Sequence, residues 1–258
     1  MSLTMSSNLD HTNRNAGGQI HRGGTSSSHA TLEEPFTMVS VPELGTSLAS
    51  ASTSKQYRVC DVVLSSVIFV VLSPLMLLIA VAVRLSSPGP ALFRQTRVGF
   101  NGEPFELLKF RTMKENSDDA VHRLYVTKLL MGLEPEEGIN GIYKLERDPR
   151  VTSVGRILRR LSLDELPQLI NVLRADMSLV GPRPALSWEV ELFDPIYAAR
   201  FLVKPGMTGL WQVSGRNTVS VSRGLDLDVE FVRRQSLWLY ILILLKTIPT
   251  IVMGNGAR

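Results

Sequence analysis

The sequence predicts an α+β protein: a re-entrant, helix-break-helix membrane hairpin joined to a small domain of amphipathic helices and one short β-hairpin. Three observations predict it. An uncharged apolar run, Val62 to Val83, is interrupted at its midpoint by Ser73-Pro74. Two strand-like stretches flank Asn101-Gly102, a dipeptide suited to the positive φ angles of a tight hairpin turn. A second apolar stretch, Leu237 to Met253, carries Lys246 and starts with Trp238 and Tyr240.

Three segments follow. Residues 1–54 are rich in Ser, Thr, Asn and Gly and show little apolar periodicity, which predicts a disordered tail. No apolar run follows Met1, so a secretory signal is not expected. Residues 55–86 form the membrane hairpin, and residues 87–258 the cytoplasmic domain. The chain has 258 residues and a net charge of +4, which suits an anionic substrate or an anionic lipid surface. That charge is too small to argue for nucleic acid, and no nucleic-acid-binding signature is present. Cys60 is the single cysteine, which excludes an internal disulfide. Three of the four histidines, His11, His21 and His29, lie in the tail, which argues against a histidine-based metal site.

The run Val62 to Val83 would span about 33 Å as a straight helix, close to one hydrocarbon thickness. A simple spanning anchor is one reading. Two features favour the hairpin. Pro74 cannot donate to the helical ladder, so a sharp kink is expected, with the Ser73 hydroxyl as a local partner for the freed backbone. Cations also flank both ends, Lys55 and Arg58 before and Arg84, Arg94 and Arg97 after, so charge gives no drive to place the ends on opposite faces.

Pro88-Gly89-Pro90 forces a turn out of the membrane segment. Ala91–Val98 and Pro104–Met113 then read as strands. Alternation puts Lys109 and Arg111 on one face and Phe110 on the other, giving either a phosphate clamp or a solvated basic edge. A helix is expected around Asp118–Met131, then a loop containing Pro135 and Gly138. Val154–Leu161 reads as a short basic helix carrying Arg156, Arg159 and Arg160. The next turn, Ser162-Leu163-Asp164-Glu165-Leu166-Pro167, has two registers. Ser162 and Glu165 have capping-box spacing. Alternatively Asp164 itself caps the following helix, with Pro167 tolerated in its first turn and the carboxylate kept ionised at the positive end of the dipole. The C-terminal apolar stretch reads as an interfacial helix with a snorkelling Lys246, or as a buried core helix.

Cations converge on that acidic turn. Arg159 precedes Asp164 by five residues; Arg183 sits between prolines in Gly181-Pro182-Arg183-Pro184; Arg216 ends the glycine-rich stretch Lys204–Asn217. A carboxylate attacking a pyrophosphate needs such charges, usually with Mg²⁺, to neutralise phosphate oxygens. Trp211, in the same stretch, is expected to pack in the core.

Five motifs in order, Ser73-Pro74, Lys109-Phe110-Arg111-Thr112-Met113, Leu163-Asp164-Glu165-Leu166-Pro167-Gln168, Gly181-Pro182-Arg183-Pro184 and Lys204-Pro205-Gly206 through Arg216, resemble those of the bacterial sugar transferases, the monotopic polyprenyl-phosphate phosphoglycosyl transferases. The resemblance covers residues 55 to 258. The run Gly209–Arg216 is similar to the subgroup that initiates exopolysaccharide or O-antigen synthesis with galactose or glucose. The resemblance implies that Asp164 attacks the β-phosphate of a UDP-sugar, expels UMP and passes the phosphosugar to undecaprenyl phosphate. It implies that Glu165 assists, with Asp164 and Glu165 holding Mg²⁺. Arg159, Arg183 and Arg216 would hold phosphates and nucleotide, with Lys109 and Arg111 in support. It further implies a hairpin dipping into the inner leaflet from the cytoplasmic face of the bacterial inner membrane, and is compatible with a homodimer. The alternative is a catalytically inactive, membrane-anchored scaffold for polysaccharide assembly.

Overall fold

The computed structural model describes residues 55–114, 120–130, 150–215 and 219–252. All of them fall in one compact unit, Pro35–Arg258. The expectations for the tail 1–54, for Arg216 and for the Pro135–Gly138 loop lie outside the described residues.

The apolar run forms α1, Lys55–Ser86. It is long and apolar enough to cross a membrane, alone in this among the described residues. The two helices expected around Ser73-Pro74 are one continuous helical segment, and its chemistry at Pro74 is local. Proline withholds the N–H that would reach the carbonyl of Val70; the Ser73 hydroxyl donates to that carbonyl instead, at 2.8 Å. Both ends of α1 meet the same unit. At the start, the Arg58 guanidinium donates to the Val172 and Leu173 carbonyls. Asp61, buried, accepts from Ser178 Oγ (3.0 Å), the Leu179 N–H (2.8 Å) and Tyr240 Oη (2.7 Å). At the far end Ile79 and Val83 pack with Phe110 and Leu158. Between these anchors Val70, Val71, Leu77 and Leu78 are exposed.

The hairpin is as the sequence indicates, with shorter strands. β1, Leu92–Val98, pairs antiparallel with β2, Pro104–Phe110. Asn101 (φ 56°) and Gly102 (φ 80°) adopt the left-handed conformations that these two residue types tolerate. Register sets Phe93 opposite Lys109, Gln95 opposite Leu107 and Arg97 opposite Phe105. Directly opposed residues share a face, so Gln95, Arg97 and Lys109 lie on one side of the hairpin. The outer edge of β2 is covered by one side chain. Asn171 accepts from the Leu108 N–H at 3.0 Å and donates to the Glu106 carbonyl at 2.7 Å, imitating a strand.

After α2, Ala120–Leu130, and α3, Ser153–Arg160, the acidic segment departs from both registers expected for it. Thr152 caps α3, accepting from the Gly155 N–H. Asp164 is not a helix cap: residues Leu163–Glu165 form a 3₁₀ turn, and α4 begins only at Gln168 and ends at Arg174. The Ser162–Glu165 capping box does not form either, because Ser162 is left-handed (φ 55°) and makes no side-chain cap. A left-handed residue takes its side chain off the helix axis, so neither partner of the box can be reached.

The sequence gives no sign of the second sheet. β3, Ser178–Val180, lies parallel to β4, Gly206–Thr208. Between them run α5, Ser187–Val190, and a 3₁₀ segment, Pro195–Leu202. Gly206 is required by contact: a Cβ there would sit 2.0 Å from the Gly181 nitrogen. α6, Leu210–Val213, presents Trp211 to Gly224 of α7, Val221–Arg233; the tryptophan packs there half-buried and not, as expected, in the core. α8, Leu237–Val252, is two-faced. Tyr240 and Ile243 enter the main core with Leu169, Val172, Met177 and Phe231, while Trp238 (72% exposed), Leu245 and Ile248 face outward.

Candidate active site

The site begins on the 3₁₀ turn that follows α3. Asp164 and Glu165 are adjacent and half-buried. Glu165 pairs with Lys109 Nζ at 3.2 Å across to β2. Burial, and then the neighbouring Glu165 charge, push the Asp164 carboxyl above the ordinary carboxylate range; Lys109, Arg159 and its own backbone N–H pull the other way. Burial and like charge outweigh these three influences. Such a pair of crowded carboxylates favours a cation beside it.

The second component is the loop Gly181–Ala185, which follows β3. Its residues are buried except Arg183. The four carbonyls from Pro182 to Ala185 each accept a hydrogen bond, from three different elements. Pro182 accepts from the Gly206 N–H (2.9 Å), Arg183 from Arg200 Nη2 (2.7 Å), Pro184 from Arg97 Nη1 (3.1 Å) and Ala185 from the Val98 N–H (2.9 Å). The Gly181 N–H donates to the Thr208 carbonyl at 2.8 Å. A loop pinned this way has little freedom to lose when its one exposed cation meets an anion.

The hairpin face connects the two components. Arg97 is buried, bonds Gln95 Oε1 through Nε and Nη2, and stands 3.9 Å from Glu189. Its pKa is lowered to about 10, by burial first and by Arg183 next, against Glu189 and Glu165. Arg97 therefore feels both Arg183 and Glu165. Lys109, Glu165, Asp164, Arg159, Arg97 and Arg183 form one charged neighbourhood.

Of the residues singled out from sequence, Asp164, Glu165, Lys109 and Arg159 come together, and Arg183 joins them through Arg97. Arg111 does not. It lies past the end of β2, buried, with its guanidinium donating to the Ser87 and Pro88 carbonyls. Strand alternation fails there because β2 stops at Phe110, and Arg111 instead fastens the exit of α1. Arg216 lies outside the described residues. Ser73 and Pro74 sit in the exposed middle of α1, away from the charged groups. Arg97 was missed as a site residue, although the alternation Gln95, Arg97 on β1 opposite Lys109 on β2 is visible in the sequence. Among the described residues no cluster of three or more His, Cys, Asp or Glu forms a metal cage.

The chain thus combines a half-buried, crowded carboxylate and nearby cations with a helix of membrane length. A family model described as bacterial sugar transferase matches residues 52–254. The chain belongs to that family, and it is an enzyme of the polyprenyl-phosphate phosphoglycosyl transferase class. Among similar proteins is the exopolysaccharide production protein ExoY of Rhizobium meliloti, 42% identical over 200 residues, 78% of this chain and 87% of the relative. The UDP-glucose:undecaprenyl-phosphate glucose-1-phosphate transferase of Caulobacter vibrioides is 41% identical over 231 residues, 86% of this chain and 79% of the relative. The undecaprenyl-phosphate galactose phosphotransferase of Salmonella typhimurium is 42% identical over 210 residues, 81% of this chain and 43% of that longer protein.

Proposed function

We propose that this enzyme transfers hexose-1-phosphate from UDP-glucose or UDP-galactose to undecaprenyl phosphate, releasing UMP, with Asp164 as nucleophile. The observation that carries the assignment is the Asp164 carboxylate, half-buried beside Glu165 with Lys109 and Arg159 close enough to act on its charge. The names of the similar transferases support the two substrates.

In the first step an Asp164 carboxylate oxygen attacks the β-phosphorus of the donor. The bond from that phosphorus to the bridging oxygen breaks, and UMP leaves with the electron pair. An oxygen of undecaprenyl phosphate then attacks the same phosphorus and displaces Asp164. Two displacements through a covalent intermediate replace one difficult encounter of anions. Lys109, Arg159 and Arg183 offset the charge gathered on the phosphate oxygens. The donor set fits Mg²⁺, which binds through one or two carboxylates and completes its shell with substrate phosphates and water. Asp164 and Glu165 would hold it, and when bound it would supply further neutralisation of the phosphates.

The acceptor is a membrane lipid, and the surface suits its plane. The exposed middle of α1 and the outer face of α8, with Trp238, Leu245 and Ile248, offer apolar area to a bilayer. A spanning α1 would place its ends on opposite sides of about 30 Å of hydrocarbon. Here Arg58 and Asp61 at one end, and Ile79 and Val83 at the other, are held by the same unit. This supports a re-entrant path with both ends of α1 on one face, which the proposed use of a UDP-sugar makes the cytoplasmic face of the inner membrane.

Membranes containing the enzyme, offered a panel of UDP-sugars, are expected to release UMP with Mg²⁺ and undecaprenyl phosphate. No release with any donor would reject the transferase assignment in favour of a scaffold. Radiolabelled sugar-phosphate is expected to stay on the protein when acceptor lipid is left out. Unlabelled protein under those conditions leaves only direct transfer. For topology, cysteines placed at Lys55 and at Ser86 in a Cys60→Ser background are both expected to react with an impermeant maleimide only from the cytoplasmic side. Labelling from opposite sides would make α1 a true span.

A further inference from the structure

The loop bearing Arg183 is gripped from beneath by a buried ion pair that the chemistry above does not use. Arg200, on the 3₁₀ segment, and Asp228, in the middle of α7, meet at 2.7 Å with side chains 3% and 1% exposed. Arg200 Nη2, held by Asp228 Oδ2, also donates to the Arg183 carbonyl at 2.7 Å. The pair thus reaches the backbone of the residue that carries the exposed cation. Arg200 is confined in turn between two rings, 5.1 Å from Phe193 and 5.7 Å from Phe201.

A stability role is the simpler explanation, and the geometry speaks against it. Burying two charges takes several kcal/mol per ion, and the attraction repays this only when every remaining polar atom is satisfied. Here Arg200 Nε and Asp228 Oδ1 are buried without a hydrogen-bond partner. Apolar residues of similar volume would serve stability at least as well. What such residues could not do is hold the Arg183 carbonyl with a guanidinium that is itself oriented by a carboxylate.

We infer that Arg200 and Asp228 are positioning residues, which fix the backbone of Arg183 so that its guanidinium is delivered to the donor phosphates. The inference rests on the proposed transferase reaction and on Arg183 meeting substrate there. Arg97, on the Pro184 carbonyl, completes the clamp from the hairpin side. A misplacement of about 1 Å at such a group is enough to lower a rate by about a hundredfold.

A double-mutant cycle on the full-length enzyme in membranes tests it, reading kcat/KM for UMP release from UDP-glucose and UDP-galactose. Arg183→Ala is expected to lower kcat/KM. Asp228→Asn is expected to lower it by about tenfold to a hundredfold in the wild-type background and to change it little in the Arg183→Ala background. Equal fold losses in both backgrounds would show that Asp228 acts independently of Arg183 and would overturn the inference. If Asp228→Asn does not accumulate as folded protein, the paired change Arg200→Met with Asp228→Leu replaces it, since it leaves no buried charge unpaired. That variant is expected to keep a wild-type Tm and still lose kcat/KM; wild-type kcat/KM in it would equally overturn the inference. Full activity in Arg183→Ala would remove the substrate role of Arg183, and the inference with it, while leaving the UMP-releasing reaction and Asp164 standing.

Discussion

The two loops that carry the site's charges are built in opposite ways. The acidic turn, Ser162–Pro167, has a left-handed serine, no side-chain cap from that serine, and an ion pair, Lys109–Glu165, that ties it to β2. The loop Gly181–Ala185 has its carbonyls engaged by β1, β4 and the 3₁₀ segment, and exposes one side chain. The difference follows the demands on each. In the proposed reaction the nucleophile must take on and release a phosphosugar, so its oxygen needs room to move. A phosphate-binding arginine acts best when it does not move. Rigidity is concentrated under the cation, and strain and crowding under the carboxylate.

Asp164→Asn tests the reactive side of that contrast and carries the largest expected effect. Transfer is expected to fall by about 10⁴-fold or more, because an amide of the same shape cannot form the acyl phosphate. Folding should not suffer. Burial and Glu165 raise the carboxyl's folded-state pKa above its unfolded value. Its stabilising contribution is therefore complete below the unfolded value and lost as pH rises through the folded one. The asparagine variant escapes that loss, so its Tm should equal or exceed that of the wild type at pH 7, and the gap should close at pH 4. A variant that melts well below wild type at pH 7 would make Asp164 a structural residue, and one that still turns over would make another group the nucleophile.

The rigid side is tested by Gly206→Ala. The added methyl would meet the Gly181 nitrogen at 2.0 Å and the Thr208 carbonyl oxygen at 2.5 Å, both backbone atoms that cannot step aside. Forcing β3 from β4 is expected to cost about 2–4 kcal/mol, a fall in Tm of roughly 4–16 °C. It should also move Pro182 and Arg183, so kcat/KM should drop at temperatures where the variant is still folded. A lower Tm with unchanged kcat/KM would mean that the loop does not need its pinning.

The uneven legibility of the sequence has the same origin as the contrast. Local chemistry was readable. Asn101-Gly102 fixed the hairpin, Ser73-Pro74 pointed to the hydroxyl that replaces a missing N–H, and the spacing of Arg159 and Asp164 put a cation beside the carboxylate. What escaped depends on groups far apart in the chain. Asn171 covers the edge of β2 at Glu106 and Leu108. Arg200 and Asp228 hold Arg183, and β3 pairs with β4 across two intervening elements. No periodicity announces a buried ion pair or a three-residue parallel strand. Asp164 was placed at a helix start because Pro167 tolerates a first turn; the left-handed Ser162 instead made a separate 3₁₀ turn, and the argument that a helix dipole keeps the carboxylate ionised goes with it. Arg111 was expected beside Lys109 because alternation was extended one residue past the strand.

Lys109→Met gives the smallest change and separates stability from tuning. The Lys109–Glu165 pair keeps about a quarter of each side chain exposed, so its loss should alter stability by no more than about 1 kcal/mol. UMP release should fall by about tenfold, the size of effect expected when one of several cations near a phosphate is removed. The sharper measurement is the acid limb of the kcat/KM profile. Asp164 must be ionised to attack, and it loses that charge as pH falls through a value already above the ordinary carboxylate range. Lys109 and Arg159 both lower that value, and Glu165 raises it. Removing Lys109 takes away one of the lowering charges while Glu165 still raises the value, so the limb should move to higher pH. A limb that stays in place while the rate falls would assign Lys109 to substrate binding alone, and the acidic turn would then owe its chemistry to burial and Arg159.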